Sequence, residues 1–169
     1  RQLKLYPDSH REKIFRVVRY TFNYFSNPND KVILNDLKEK GMELAKIVSK
    51  GAANDSSYLR PLDRRIANAV AGVISEYLWR DYINLDQENN IVDSTPFEEA
   101  SNQIDLITTK TNKKIEVRSS FPRNGIQFAV CSKKYQFDII GPYSNNYKPT
   151  EIEKDYYVRA LFHLQNYNE

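Results

Sequence analysis

Apolar residues recur at helical spacing over three stretches in the first half of the chain. The pattern predicts one helix over about residues 14–25 and a second over about residues 30–50. A third begins near residue 61 and extends to about residue 78. Gly41 lies inside the second stretch and weakens the helical propensity there. Residues 1–60 are therefore expected to form an N-terminal helical region.

The second half of the chain carries shorter apolar runs separated by Gly, Pro, Asn and Ser, which is typical of β-strands. The expected elements are a short strand at 91–92, a β-hairpin over 103–120, strands at 126–130 and 136–140, and a last strand or helix at 155–164. Helices followed by strands favour an α+β fold, or an α/β fold in which helices flank a mixed β-sheet. Residues 61–169 would form this core, unless all 169 residues form one domain.

The expected hairpin separates apolar from charged side chains. Because side chains alternate between the two faces of a strand, four aliphatic residues face the core: Ile104, Leu106, Ile115 and Val117. The opposite face carries Asp105, Glu116 and Arg118. A turn centred on Thr111-Asn112 would place Asp105 opposite Arg118 and Ile107 opposite Glu116. The three charged side chains then converge within roughly 5–8 Å.

Two carboxylates at that separation suit a hard divalent cation, because Mg²⁺ prefers oxygen ligands and keeps several waters. A metal held in this way polarises a phosphoryl oxygen and activates a bound water for phosphodiester hydrolysis. A neighbouring cation stabilises the charge that develops on the phosphate. Asp105 and Glu116 are therefore candidate ligands for Mg²⁺, or for Mn²⁺ in its place, and Arg118 is a candidate catalytic residue.

A third carboxylate lies on the helix that begins near residue 61. The apolar arc of this helix is centred on Val70, Val73 and Tyr77, and Glu76 falls at its margin. An acid at the margin of a buried face is partly desolvated. Glu76 is expected to project past the edge of the sheet toward the hairpin and to assist the other two acids.

The order of these motifs resembles the PD-(D/E)xK nuclease superfamily, which has the restriction-endonuclease-like fold. A helix with Glu76 is followed by a strand and then by Gln-Ile-Asp-Leu and Ile-Glu-Val-Arg-Ser-Ser on paired strands, over about residues 66–140. The resemblance implies a Mg²⁺-dependent DNA endonuclease, with a restriction or other defence enzyme as its setting. It implies that Asp105 and Glu116 bind the metal and that Glu76 adds a further contact. Because one site cuts one strand, double-strand cleavage would call for a homodimer or a partner domain.

Arg118 departs from the pattern of this superfamily, whose usual residue at that position is lysine. Arginine keeps the positive charge but cannot act as a general base, because its pKa lies above about 12. Activity would then depend on the metal, or on Lys114 on the same face. Two alternatives stay open, namely a catalytically inactive nucleic-acid-binding module of the same fold and a protein-interaction domain. A solvated hairpin face on which charges alternate with core residues would also explain the pattern.

Five polar residues on or after the hairpin are candidates for contacts to DNA phosphates: Lys114, Ser120, Arg123, Lys133 and Lys134. The net charge of +3 and the pI near 8.8 permit contact with a polyanion without requiring it. DNA binding would therefore depend on a local concentration of basic side chains.

Several other classes of site are not expected from the composition. One cysteine excludes an internal disulfide, and with only two histidines a zinc site within this chain is not expected. No apolar run approaches the ~20 residues that span a bilayer, and no apolar signal segment opens the chain. We therefore expect a cytoplasmic protein without membrane contact. Because the first residue is Arg1 and not Met, the segment is expected to derive from a longer protein.

Overall fold

The structure is a computed structural model, and it describes five segments of the chain: residues 2–7, 14–48, 59–96, 104–120 and 153–162. These segments form two helices and six strands. In chain order they are β1 (Gln2–Pro7), β2 (Ile14–Arg19), α1 (Pro28–Ile47), α2 (Leu62–Asn84), β3 (Val92–Ser94), β4 (Leu106–Thr108), β5 (Lys114–Ser120) and β6 (Tyr156–Leu161).

The prediction of a helix over residues 14–25 is wrong. The strands β1 and β2 pair in antiparallel register from Gln2↔Arg19 to Pro7↔Ile14. Residues 14–19 are rich in Val, Ile and Phe, which favour strands. Over only six residues, helical and strand periodicity are hard to tell apart. The N-terminal region therefore begins with a β-hairpin, and its helical part starts at Pro28.

The other two predicted helices are confirmed as α1 and α2. Helix α1 begins where the sequence places its start signals: the Asn27 side chain accepts a hydrogen bond from the Asn29 amide at 3.0 Å, and Pro28 occupies the first turn. Helix α2 follows Pro61 and extends to Asn84, one and a half turns beyond the predicted end. Its additional turn carries Trp79 and Ile83, which pack against the sheet.

Gly41 lies where the backbone of α1 packs tightly against α2. The buried positions of α1 recur every four residues at Leu37, Gly41 and Ala45, which gives the helix a narrow buried stripe. A Cβ atom at Gly41 would lie 2.5 Å from the Cα atom of Val70 on α2. Only glycine permits this separation of the two backbones, so the residue that weakens α1 as an isolated helix is required for its packing.

Strands β3 to β6 form one mixed sheet in the order β3-β4-β5-β6. The first three strands are antiparallel neighbours, and β6 pairs in parallel with β5 from Ile115↔Tyr156 to Ser120↔Leu161. This arrangement confirms an α+β fold with helices before a mixed sheet. It also shows that the last predicted element is a strand. The strands predicted at 126–130 and 136–140 lie outside the described residues.

The core of the sheet lies between its inner face and α2. Val92, Leu106 and Ile115 come from three neighbouring strands and are buried together. Because directly paired residues share a face, their side chains all point toward the helix, where Trp79 and Ile83 cover them. The face of β5 that points toward α2 is therefore shielded from solvent, as the hairpin pattern predicts.

Asn84 joins the end of α2 to the start of β3. Its side-chain oxygen accepts hydrogen bonds from the Ile91 amide at 2.9 Å and from the Val92 amide at 3.0 Å. Its amide nitrogen donates to the Val92 carbonyl at 2.8 Å. These three hydrogen bonds fix the direction of the edge strand β3 relative to the end of α2. They also pair backbone N–H and C=O groups that would otherwise lack a partner at the edge of the sheet.

The register of the β4–β5 hairpin differs from the predicted one by two residues. The observed pairs are Leu106↔Ile115 and Ile107↔Lys114, whereas the prediction paired Ile107 with Glu116. The connection has four residues between Thr108 and Lys113, and Asn112 in it adopts a left-handed conformation with φ of 53°. Because strand faces alternate with a period of two, a shift by two residues leaves every side chain on its predicted face.

Neither helix of the described part of the chain has the length and apolar character that crossing a membrane requires.

We predict that Gly41→Ala lowers the free energy of unfolding by about 1–3 kcal/mol, because the added Cβ overlaps the backbone at Val70. Gly72→Ala on α2 is the matched control, since a Cβ at Gly72 meets nothing within 4 Å. The control should raise the free energy of unfolding by up to about 1 kcal/mol through helix propensity. Urea unfolding followed by circular dichroism measures both, and equal stabilisation by the two substitutions would contradict the close packing.

Candidate functional site

Glu116 lies at the centre of a buried group of charges on the outer face of β5. Its neighbour Ile115 points into the core, so alternation turns Glu116 to the face away from α2. Even so, Glu116 is only 6% exposed. A glutamate is rarely buried to this extent unless its charge is compensated.

Two cations compensate the Glu116 carboxylate. The Arg118 Nε atom lies 3.2 Å from Glu116 Oε1, and the Lys154 Nζ atom lies 3.3 Å from Glu116 Oε2. Arg118 is two residues along the same strand, so it shares the face of Glu116 as predicted. Its side chain is 20% exposed, whereas that of Lys154 is fully buried. Each carboxylate oxygen therefore has one cation beside it.

Asp155 fixes the segment that carries Lys154. Its carboxylate contacts Lys113 Nζ at 2.7 Å and accepts a hydrogen bond from the Lys114 amide at 2.8 Å. Its own amide donates to the Lys114 carbonyl at 2.9 Å. The Lys113 ammonium, together with the Lys114 amide, holds the pKa of the Asp155 carboxyl below its ordinary value. These contacts hold the residues before β6 against the start of β5, and Lys154 is thereby placed beside Glu116.

The Asp105 carboxylate is held against the same strand. Its Oδ2 atom accepts a hydrogen bond from the Val117 amide at 2.7 Å, and Val117 stands between Glu116 and Arg118. The Asp105 carbonyl accepts from the Thr95 amide at 3.2 Å, which ties this position to the end of β3 as well. The structure therefore brings Asp105 next to the segment that bears Glu116 and Arg118, although in a different register from the predicted one.

Glu76 lies in a groove on the helix side of the sheet. Its carboxylate is hydrogen-bonded to Ser94 on β3, and Arg80 Nη1 donates to the same hydroxyl at 3.2 Å. Ser94 pairs with Leu106, so it faces α2 and not the face of Glu116. The groove has a volume of about 260 Å³ and is also lined by Lys40 of α1. Assistance by Glu76 to the other two acids stays a prediction, since the described contacts of Glu76 are to this groove.

Burial raises the pKa of Glu76 above its ordinary value. The hydrogen bond to Ser94 and the positive charges of Arg80 and Lys40 act in the opposite direction but are the smaller effects. The groove thus favours the uncharged form of this acid more than water does.

The candidate phosphate-binding residues are described only in part. The Lys114 amide is engaged by Asp155, and the Lys114 side chain is half-buried. Ser120 ends β5 and pairs with Leu161 of β6. Three further candidates, Arg123, Lys133 and Lys134, lie outside the described residues.

Lys154 is the residue that the sequence pattern did not reveal. The local signal is no more than a Lys-Asp pair immediately before the apolar run of β6. Nothing local indicates that β6 pairs in parallel with β5, and this pairing alone brings Lys154 to Glu116. Of the hairpin lysines, the alternation places Lys114 on the face of Glu116.

Within the described segments, no three residues of the types His, Cys, Asp or Glu come together closely enough to hold a metal ion. Among the described residues, the outer face carries Asp105 and Glu116, and also the exposed Asp93 of β3, which pairs with Ile107. A metal bound there would complete its coordination with water or with oxygens of a bound phosphate, as Mg²⁺ commonly does.

The chain matches no protein-family model and no solved structure. It is similar to the uncharacterized protein MJECS01 of Methanocaldococcus jannaschii, with 30% identity over 142 residues. The match covers 77% of this chain and 50% of the relative, so the chain spans about half the length of the curated relative.

We predict that Glu76→Gln stabilises the fold at neutral pH. Because the pKa of Glu76 is raised in the folded state, folding favours the protonated form of this side chain. The stability that this preference contributes is fully present below the ordinary pKa of 4.5, and it is lost as the pH rises through the raised pKa. Glutamine stays uncharged, so the variant should exceed the wild type in free energy of unfolding at pH 7 and lose this advantage below pH 4.5. Urea unfolding across this pH range measures the difference.

Glu39→Gln is the control, because Glu39 is exposed on α1 and its substitution should change stability little at any pH. A Glu76→Gln variant that is less stable than the wild type at pH 7 would show that the contacts to Ser94 and Arg80 outweigh the cost of burial.

Proposed function

We propose that this chain is the catalytic part of a metal-dependent endonuclease that hydrolyses DNA phosphodiester bonds. The observation that carries the proposal is the anchoring of the Asp105 carboxylate on the Val117 amide, between Glu116 and Arg118. Two carboxylates and a guanidinium thus lie side by side on the outer face of one hairpin. The sequence order of helix, strand and paired strands, which is also the order of α2, β3, β4 and β5, favours the same assignment.

The donor chemistry of the site fits a hard divalent cation. Both acids offer carboxylate oxygens, and each such oxygen has two lone pairs. A hydrogen bond to Asp105 Oδ2 and a cation beside each Glu116 oxygen therefore leave acceptor capacity on both side chains. Asp105 and Glu116 would hold Mg²⁺, with Mn²⁺ as a substitute. The metal would polarise the scissile phosphate and lower the pKa of a bound water.

The remaining side chains of the proposed site act on the substrate through charge. Arg118 is partly exposed, and its guanidinium can donate both to Glu116 and to a phosphate oxygen. It would stabilise the negative charge that develops on the scissile phosphate. Lys114, and further along the chain Arg123, Lys133 and Lys134, would contact phosphates and position the duplex.

The wider setting follows from the resemblance to the PD-(D/E)xK superfamily. We propose a cytoplasmic restriction or other defence nuclease. The relative from Methanocaldococcus jannaschii is about twice as long as the matched segment. A second copy of this chain, or a further domain of a longer protein, would supply the second cut in double-stranded DNA.

We predict that the protein nicks supercoiled plasmid in the presence of Mg²⁺ or Mn²⁺, and that Asp105→Asn reduces the rate by at least about a hundredfold. Asparagine retains an oxygen that can accept the Val117 amide, so this variant separates loss of charge from loss of fold. Glu88→Gln, at an exposed turn position, is the control and should cleave at the wild-type rate. Gel electrophoresis of the plasmid forms measures all three.

Two outcomes would contradict the proposal in different ways. Binding of DNA that weakens with rising salt, without cleavage in any metal, would favour the catalytically inactive binding module. No DNA affinity at any salt concentration would favour a protein-interaction domain. An Arg118→Lys variant that gains cleavage would identify this arginine as the cause of inactivity in the first case.

A further inference from the structure

Two arginines lie side by side on the outer face of the sheet. The parallel pairing of β6 with β5 places Arg159 in register with Arg118 on the neighbouring strand. Residues paired in register share a face, so both arginines lie on the face of Glu116. Adjacent strands are about 4.8 Å apart, so the two side chains leave the sheet close to each other. Like charges placed opposite each other in this way destabilise a sheet unless an anion offsets them.

Charges nearer the hairpin connection are accompanied by charges of the opposite sign. In that part of the outer face, Asp93 pairs with Ile107, and Ile107 pairs with Lys114. This row of residues across the strands therefore carries one acid and one cation. The neighbouring ion pair of Lys113 with Asp155 at 2.7 Å is balanced in the same way.

The balance changes toward the far end of β5. Asp105 and Glu116 contribute two negative charges, and Lys154 contributes one positive charge beside Glu116. Arg118 supplies a second positive charge, with its Nε atom 3.2 Å from Glu116 Oε1. Arg159 adds a further positive charge to these four side chains, next to Arg118. This end of the outer face is therefore attractive to an anion.

The two arginines lie toward the carboxyl ends of the parallel strands. Arg118 is the fifth of the seven residues of β5, and Arg159 is the fourth of the six residues of β6. Open sheets commonly bind ligands at the carboxyl ends of their parallel strands. Asp105 lies at the same end, because it precedes β4, which runs antiparallel to β5. The arginines thus lie beside the acids of the proposed site.

A guanidinium group is well suited to a phosphate. It presents five N–H donors in a planar fork, and it stays charged at physiological pH. Arg118 directs its Nε atom toward Glu116, and a fork with five donors can hold a protein acceptor and a phosphate oxygen together. Both arginines are partly exposed, so a ligand can reach them.

We propose that Arg118 and Arg159 together bind one phosphate of the nucleic-acid backbone. Arg159 is then a substrate-binding residue that lies outside the hairpin motif. This inference rests on the proposed function for its substrate, and it adds a contact from β6, on the opposite side of β5 from Asp105. Because both cations belong to the protein, the phosphate is bound whether or not a metal is present.

The same distribution of charge favours one path for the nucleic acid. The exposed Asp93 on the edge strand β3 repels a phosphate, whereas Arg118 and Arg159 attract one. The backbone therefore passes over β5 and β6 and not over β3.

We predict that Arg159→Met weakens the binding of a short DNA duplex in EDTA by about tenfold or more, because a charge-assisted contact to phosphate is lost. The slope of log affinity against log salt concentration should become shallower by about one, since one fewer phosphate contact releases counterions. Fluorescence anisotropy of the labelled duplex measures both quantities.

Three further variants test the assignment. Arg159→Lys keeps the charge but loses the planar fork, and it should restore the salt slope and part of the affinity. Arg118→Met should also weaken binding, and the double variant should lose little more, because both arginines hold the same phosphate. Arg64→Met removes an exposed arginine from the first turn of α2 and should change neither quantity.

Thermal melts show whether each variant is folded. A merely structural role for Arg159 predicts a lower melting temperature and weaker binding with an unchanged salt slope. That result would overturn the inference, as would full additivity of Arg118→Met and Arg159→Met.

The outcomes separate this inference from the nuclease function. Metal-dependent cleavage by the wild type, with unchanged affinity and salt slope in Arg159→Met, would overturn the inference and leave the nuclease function standing. Binding in EDTA that is weakened in Arg159→Met, without cleavage in any metal, would support the phosphate site and contradict the nuclease function. Absence of DNA binding by the wild type, with or without metal, would overturn both.

Discussion

The packing of Leu106 and Ile115 against α2 decides which face of the hairpin is available for chemistry. Trp79 and Ile83 cover these two residues from the helix, and Val92 extends the contact to the edge strand. Once Ile115 is buried in this way, strand alternation leaves Glu116 no position except the outer face. The charged group thus depends on an apolar contact on the other side of the same strand.

The outer face is stabilised by charge and hydrogen bonds. Burial of Glu116 would be costly for an isolated carboxylate, and Arg118 and Lys154 offset that cost from two directions. The contacts of Asp155 with Lys113 and Lys114 also help to compensate the charge of Glu116, because they position Lys154 beside it. Replacement of any one of these charged side chains lowers the stability of the fold, because the remaining ones stay buried with unbalanced charge.

Sequence patterns predicted the parts of this structure that local periodicity controls. The two long helices and the division of the hairpin into an apolar and a charged face follow from spacing over many residues. The six residues of β2 are too few for periodicity to distinguish a strand from a helix. Periodicity also does not indicate the left-handed conformation of Asn112 in the connection that joins β4 to β5. The position of Lys154 required the parallel pairing of β6 with β5, which no local pattern encodes.

That parallel pairing also has a consequence for the order in which the protein folds. A parallel neighbour needs a crossover connection, so β6 reaches β5 only after a long stretch of chain has been placed. Because the pairing of β4 with β5 is local, we expect this hairpin to close early. Lys154 reaches Glu116 only when β6 pairs with β5. We therefore expect the contact between Lys154 and Glu116 to form late in folding.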